Sequence, residues 1–400
     1  MPSQSFGDLG ASRAVVKALA DRGITAPFPV QHLVVPDVMA GRDVLVKSPT
    51  GSGKTLAFAV PLVEMIQPGD ARPSVLVLAP TRELAIQIKD DVQPLAKAKG
   101  LSVAVVYGGA GIEPQIKAAR RAHILVATPG RLEDLLDRRA VSLGDVQVLI
   151  LDEADRMLDM GFRPPVDRIV AKLPRKRQTL FFSATLEGEV GRLAHVYTTN
   201  ARSHDHSPPA AERHGMVQHR FVGVRHEAKL DALVQELRDD QRGLTLVFVR
   251  TKRGADRLVK RLGAHDVEAL AMHGNKSQSQ REKALARFES GRVDTLVATD
   301  VAARGLDIDD ITHVINFDAP ADREGYIHRV GRTGRAGRRG VGVTFVEHEQ
   351  AKDVHRIAKV LNMEKEFAKS GLAPAAVRGG QHTSGGKPSR AKRVRRSRGR

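Results

Sequence analysis

The run Ser48-Pro49-Thr50-Gly51-Ser52-Gly53-Lys54-Thr55 combines glycine, lysine and hydroxyl side chains in the order that polyphosphate binding requires. Gly51 and Gly53 let backbone N–H groups turn inward with no side chain in the way. Those donors, with the positive end of a following helix, suit a chain of phosphates. Lys54 would reach the β- and γ-phosphates, and the Thr55 hydroxyl would bind Mg²⁺. A second set follows at Asp152-Glu153-Ala154-Asp155. Asp152 stands where such an enzyme needs its Mg²⁺-holding carboxylate. Glu153 is the candidate to orient or deprotonate the attacking water. Taken singly, each motif has a plainer reading, a glycine-rich turn and an acidic helix cap. Together they point to binding and hydrolysis of a nucleoside triphosphate.

These residues need elements to hold them. The apolar run Asp43–Lys47 predicts a short buried strand before the loop, and Leu56 to Ile66 a helix after it. Val148–Leu151 predicts a strand with the acids at its carboxyl end, where ligands bind in open α/β sheets. Further strands are predicted at Val75–Ala79, Val103–Val106, Ile124–Ala127 and Thr179–Phe182, with helices such as Arg82–Val92 and Arg131–Arg138 between. Continuous apolar strands alternating with helices mean an α/β fold with a parallel sheet covered on both faces. Asn200 to Gly215 breaks the pattern with Ser203, Ser207, Pro208 and Pro209. Alternation then resumes at Gln218–Val224, Leu244–Val249, Val267–Ala271, Val293–Thr299, His313–Phe317 and Val341–Val346, and one helix from Glu349 to Phe367 closes the pattern. The expected division is therefore residues 1–200, a linker at 201–215, a second α/β domain at 216–367, and a disordered tail at 368–400. His204, Asp205, His206 and His214 could be drawn as a metal site, but they lack fixed spacing on one face.

The net charge is +18, and ten basic residues fall after Ala368 with no acidic one. The rest of the chain is also net basic, which suits a polyanionic partner such as nucleic acid. No run is long and apolar enough to span a bilayer, and residues 1–10 lack a secretory pattern. Cysteine is absent, so disulfides and thiolate metal sites are excluded. A cytoplasmic location is the expectation.

Six further motifs name a family. They are Pro80-Thr81-Arg82-Glu83-Leu84-Ala85, Thr128-Pro129-Gly130-Arg131, Ser183-Ala184-Thr185, the run Ala298 to Asp307, the run His328 to Arg335, and Gln31 with Phe6 upstream. With the two motifs above, in this order from Phe6 to about Val346, the chain resembles the DEAD-box RNA helicases and looks like a bacterial member. The resemblance implies two tandem RecA-like domains that close on ATP and RNA together, with Mg²⁺ as cofactor. Gln31 and Phe6 then look like the adenine contacts, beside the phosphate loop Thr50, Gly51, Ser52, Gly53, Lys54 and Thr55. Here Phe28 stands where the family usually has Thr, and Ile24 where it usually has an aromatic. Gly305 and Asp307 look like ribose contacts from the second domain. Arg332 and Arg335 look like arginine fingers, completing a catalytic set with Lys54, Asp152 and Glu153; a basic RNA-binding loop is the alternative for that arginine-glycine run. Ser183 and Thr185 look like the link between the nucleotide and RNA sides. RNA contacts implied are Pro80, Arg82, Gly108, Gly109, Thr128 and Arg131 in the first domain, and Thr251, Gly274, Thr299 and Arg304 in the second. Such residues suit phosphate contacts, which carry no base information.

The expected activity is RNA-stimulated ATP hydrolysis that drives domain closure and unwinds short RNA duplexes or remodels ribonucleoproteins. An ATP-gated RNA clamp or scaffold needs the same residues, and a DNA helicase is a third reading. The partners expected are RNA, single-stranded or in short duplexes, and ribonucleoprotein or RNA-decay proteins, with no membrane and a monomeric enzyme. The arginine-rich tail would add salt-sensitive RNA affinity.

Overall fold

A computed structural model describes residues 5–49, 51–206, 217–239, 242–303, 308, 310–334 and 338–372. Its described residues form two parallel sheets. The first contains β1 (Val44–Lys47), β2 (Val75–Leu78), β3 (Val103–Val106), β4 (Ile124–Ala127), β5 (Val148–Leu151), β6 (Gln178–Ser183) and β7 (Arg202–Asp205). Its spatial order is β3-β4-β2-β5-β6-β1-β7. The second contains β8 (Val217–Gly223), β9 (Leu244–Phe248), β10 (Leu270–Met272), β11 (Thr295–Ala298), β12 (Ile311–Asn316) and β13 (Gly340–Val346), ordered β10-β11-β9-β12-β13-β8. The expected pair of α/β units is present, and the apolar runs became strands within a few residues of their expected ends.

The inner strands of each sheet are buried on both faces because helices cover both. Val44, Val46, Val75, Val77, Ile150 and Phe182 point to one side of the first sheet, into a core shared with Phe58 and Val63 of the helix Lys54–Met65. Leu45, Leu76, Leu78, Leu149, Leu151 and Phe181 point to the other side. The period of two along each strand divides the residues between these layers. Phe58 meets Phe182 edge to face at 5.3 Å, seating the helix on the sheet. In the second lobe Val247, Val297, Ile315 and Phe345 fill one layer and Leu246, Phe248, Leu296 and Val314 the other.

Three expectations change. Arg202–Asp205, expected within the linker, is strand β7, paired in parallel with β1 from Val44↔Arg202 to Lys47↔Asp205. Its Arg-Ser-His-Asp composition carries no apolar signal because it sits at the sheet edge. Polar ties hold it instead: Arg202 N–H donates to the Asp43 carbonyl at 2.8 Å, and His204 Nε2 lies 2.8 Å from Asp37 Oδ2. The rest of the expected linker, 207–215, lies outside the described residues, and with it His214. No group of three or more metal-ligating side chains occurs among the described residues. The single closing helix is two, Ala351–Val360 and Glu364–Ala368, split where Asn362 adopts φ 57°. The strand expected at Val267–Ala271 is shorter and later, Leu270–Met272. Residues 373–400, most of the expected tail, lie outside the described residues. No helix among the described residues is long and apolar enough to cross a membrane.

Candidate active site

The phosphate loop joins β1 to the helix Lys54–Met65. Gly51 and Gly53 have φ 76° and 87°, the left-handed region that glycine enters without strain. A Cβ at Gly53 would come within 2.6 Å of Phe28 Cδ2 and 2.7 Å of Gln31 Nε2. Ser52 and Ser48 hydroxyls lie 2.6 Å apart, closing the loop on itself. The Ser48 N–H donates to the Ser183 carbonyl, so the loop starts where β6 ends. Lys54 is buried and its Nζ donates to the Ser48 carbonyl at 2.9 Å. Thr55 is half-buried in the first helical turn. Gln31 braces the loop from outside: its Nε2 donates to the Gly53 carbonyl and its Oε1 accepts from the Phe28 N–H, both at 2.9 Å.

Asp152 follows β5, and its N–H donates to the Leu78 carbonyl of β2. Burial pushes its carboxyl up to about 6 against the pull of Lys54, with the Glu153 charge adding to the rise. Glu153 adopts φ 52°, a conformation a non-glycine residue keeps only where its surroundings impose it. Its Oε2 is 2.7 Å from an Arg156 guanidinium nitrogen. Burial would raise Glu153, but Arg156, Lys54 and Arg332 outweigh it and hold the carboxyl below its ordinary range. Arg332 belongs to the second lobe, is 3% exposed and lines the cleft between the lobes. Asp155 Oδ2 accepts from the Ala184 and Thr185 N–H groups at 3.1 and 3.2 Å, and the Asp155 N–H donates to Ser183 Oγ at 3.3 Å. A cavity of about 500 Å³ lies between the lobes, lined by Asp155, Arg156 and Thr185 on one side and Asp300, His328 and Arg332 on the other.

The remaining expected residues gather at the other half of each sheet. Arg82 opens the helix Arg82–Ala98, and its guanidinium lies against Gly109, which has φ 87°. Gly108 is its neighbour, and both Arg131 terminal nitrogens donate to the Ala110 carbonyl at 3.2 Å. Pro80 and Thr128 are buried beside them, at the ends of β2 and β4. In the second lobe Thr251 follows β9 and caps the helix Lys252–Gly263 by accepting from the Gly254 N–H at 2.9 Å. Gly274 follows β10 beneath Lys252, and Thr299 follows β11. The lobes touch through Arg281 and Glu83, 2.8 Å apart and both largely buried. Thr50, Arg304, Gly305, Asp307 and Arg335 lie outside the described residues.

Comparison with known proteins decides the family. A model described as DEAD/DEAH box helicase matches residues 28–193, and one described as helicase conserved C-terminal domain matches 228–337. The chain belongs to the DEAD-box ATP-dependent RNA helicases. It is similar to the ATP-dependent RNA helicase CshA of Limosilactobacillus reuteri, 40% identical over 375 residues, covering 94% of this chain and 75% of that one. The DEAD-box ATP-dependent RNA helicase CshA of Bacillus subtilis is 37% identical over 383 residues, covering 95% and 77%. Among solved structures, S. cerevisiae Dbp5 bound to RNA and ADP BeF3 matches with a TM-score of 0.81 and 30% identity, over 92% of this chain and 99% of that one. The protein is thus an ATP-using RNA helicase with the two RecA-like domains expected.

Phe6 is 2% exposed and lies in the first-lobe core, in the segment before the helix Arg13–Ala20. Three side chains carry no role in the sequence reading. Asp155 and Arg156 tie the acidic motif to Ser183–Thr185 and to Glu153, and Asp155 is the fourth letter of a motif read only for its first two. Arg329 was likewise passed over: it pairs with Asp300 through two nitrogens and donates to the Asp318 carbonyl, fixing the loop that carries Arg332.

Proposed function

We propose that this helicase couples ATP hydrolysis to closure of its lobes on an RNA backbone, and that closure opens short duplexes locally. The observation that carries this reading is the cleft between the lobes, where Asp155, Arg156 and Thr185 of the first face Asp300, His328 and Arg332 of the second. Lys54 and the loop N–H groups would hold the β- and γ-phosphates, and Arg332 with Arg335 would meet the charge that develops in phosphoryl transfer. Glu153, whose carboxyl Arg156, Lys54 and Arg332 hold below its ordinary range, would orient the attacking water or take its proton. Asp152 and Thr55 offer oxygen ligands, and Mg²⁺ needs only one or two from protein when phosphates and waters supply the rest. Those two residues fit the ion, which would neutralise phosphate charge there.

The RNA residues favour a strand laid along the carboxyl ends of β3, β4 and β2 in one lobe and β10, β11 and β9 in the other. Two lobes contribute to each ligand, so each ligand favours the shut state of the other. Gly305 and Asp307 would add ribose contacts, and RNA would be told from DNA by its 2′-OH. The division into residues 1–200, 201–215, 216–367 and 368–400 is kept as a functional scheme, with the first unit extended by β7. A clamp that grips RNA without unwinding would use the same closure. Strand displacement on a short RNA duplex, run beside RNA-stimulated ATPase, separates the two. Unwinding supports the helicase mechanism, and ATP turnover with the duplex intact supports the clamp.

A further inference from the structure

The RNA path favoured above reaches, in the second lobe, a helix that the groove itself does not use. Thr251, one of the residues expected to meet RNA, is the N-cap of the helix Lys252–Gly263. That helix starts at the carboxyl end of β9 and lies over β11 and the edge strand β10. Ala255, Leu258 and Leu262 seat it in a core with Val247 and Val297. The opposite face carries five exposed cations, Lys252, Arg253, Arg257, Lys260 and Arg261. Spacings of four and three place Arg253, Arg257 and Lys260 in one stripe along it. The twelve residues of the helix carry this charge away from the groove, over roughly 18 Å.

Little on the protein neutralises that stripe. Asp256 is the one acid of the helix, and it is taken up by His273 Nε2 at 2.9 Å and Lys276 Nζ at 2.8 Å. Among the described residues Arg253, Arg257, Lys260 and Arg261 have no ion pair. Arg253 with Arg257, and Arg257 with Arg261, stand four apart, a spacing at which like charges repel and destabilise a helix. The stripe also joins the groove directly. Lys252 Nζ donates to Asn275 Oδ1 at 3.0 Å, and Lys252 lies against Gly274, another expected RNA contact, where an added Cβ would be 3.3 Å from Cε. We propose that this face is a second RNA-binding surface, a track for the sugar-phosphate backbone where it leaves the groove of the second lobe. A polyanion laid along it turns mutual repulsion into attraction, and guanidinium and ammonium groups hold phosphate without reading bases. The proposal rests on the RNA groove at the ends of β9, β10 and β11, and it lengthens that site rather than strengthening it.

The test is the triple variant Arg253→Gln, Arg257→Gln and Lys260→Gln in the full chain, so that the arginine-rich tail is the same in variant and parent. Labelled oligouridylates of increasing length are titrated by fluorescence anisotropy, starting from the shortest that stimulates ATP turnover. That shortest oligomer should bind variant and parent alike. Longer ones should bind the parent progressively more tightly, and the variant should fall behind by roughly tenfold or more at low salt. Its plot of log affinity against log salt should be shallower by about 2, three phosphate contacts at about 0.7 each for a single strand. Arg253→Lys with Arg257→Lys, which keeps the charge, should keep the parent's slope. A triple variant that follows the parent at every length and salt would mean a solvated face and overturn the proposal. So would a loss as large with the shortest oligomer as with the longest, which would put these cations in the groove itself. Polyglutamate that binds the parent as tightly as the longest oligomer, and loses as much in the variant, would assign the face to an acidic polypeptide and overturn the RNA reading. A parent whose ATP turnover no oligouridylate stimulates would fail earlier, at the groove, and take this inference with it.

Discussion

Gly53 is closed to any side chain twice over. Its φ of 87° strains an L-residue, and a Cβ would overlap the Phe28 ring and the Gln31 amide. Gly53→Ala should therefore lower stability by roughly 1–3 kcal/mol and weaken ADP binding, measured by urea unfolding and calorimetry. Glu153 makes a separate prediction: Glu153→Gln should bind ATP and RNA like the parent and turn over at least roughly 100-fold more slowly. Arg332→Ala should lose roughly 10³-fold or more in RNA-stimulated kcat, and an undiminished rate would remove the second lobe from the chemistry. At this scale the glycine, lysine and carboxylate motifs were legible because the residue types themselves dictate the chemistry. The burial of Phe6 was not, because an aromatic side chain reads the same in sequence whether its ring is packed or open.

The strand ends divide the labour of each sheet. In the first, the phosphate loop, the acidic motif and Ser183 stand at the carboxyl ends of β1, β5 and β6, which are adjacent, while the residues expected to meet RNA follow β3, β4 and β2. Asp155 bridges one strand end to the next through the Ala184 and Thr185 N–H groups. The helix Lys54–Met65 is fixed at its far end by Glu64, which accepts from the Ser12 N–H at 2.8 Å and pairs with Lys99 at 2.7 Å. Burial would raise this carboxyl, but Lys99 and Ser12 hold it below its ordinary 4.5. The folded protein thus binds fewer protons at this group than the unfolded chain does. The stabilisation is complete above 4.5 and is lost as pH falls through the lower folded value. Glu64→Gln should cost roughly 1–2 kcal/mol at pH 7, with the gap to the parent closing in acid on a pH series of unfolding curves. The edge strand β7 escaped the sequence because an exposed strand needs no apolar run.

Contact between the lobes is where the molecule acts as one. Glu83 adjoins Arg82 on the RNA side of the first lobe, and its partner Arg281 lies on the second-lobe helix Gln278–Glu289. Burial pushes the Glu83 carboxyl up in spite of Arg281 and pulls the Arg281 guanidinium down in spite of Glu83, so the pair is held at a desolvation cost. Removing one partner leaves the other charge uncompensated in the closed form. Arg281→Ala should weaken RNA binding in the presence of a non-hydrolysable ATP analogue by roughly 10- to 100-fold, leaving ADP affinity unchanged. Adding Glu83→Gln should recover part of the loss, which fluorescence anisotropy on labelled RNA would measure. By itself the sequence determined the two α/β units, the phosphate loop and the acidic motif, because periodicity and residue chemistry are local properties. Only the tertiary structure decided that Phe6 is buried, that Phe28 stands open over Gly53, that a polar segment completes a sheet, and that Arg332 lines the cleft opposite Arg156. Each of those depends on which surfaces meet across long stretches of chain, and no local pattern encodes that.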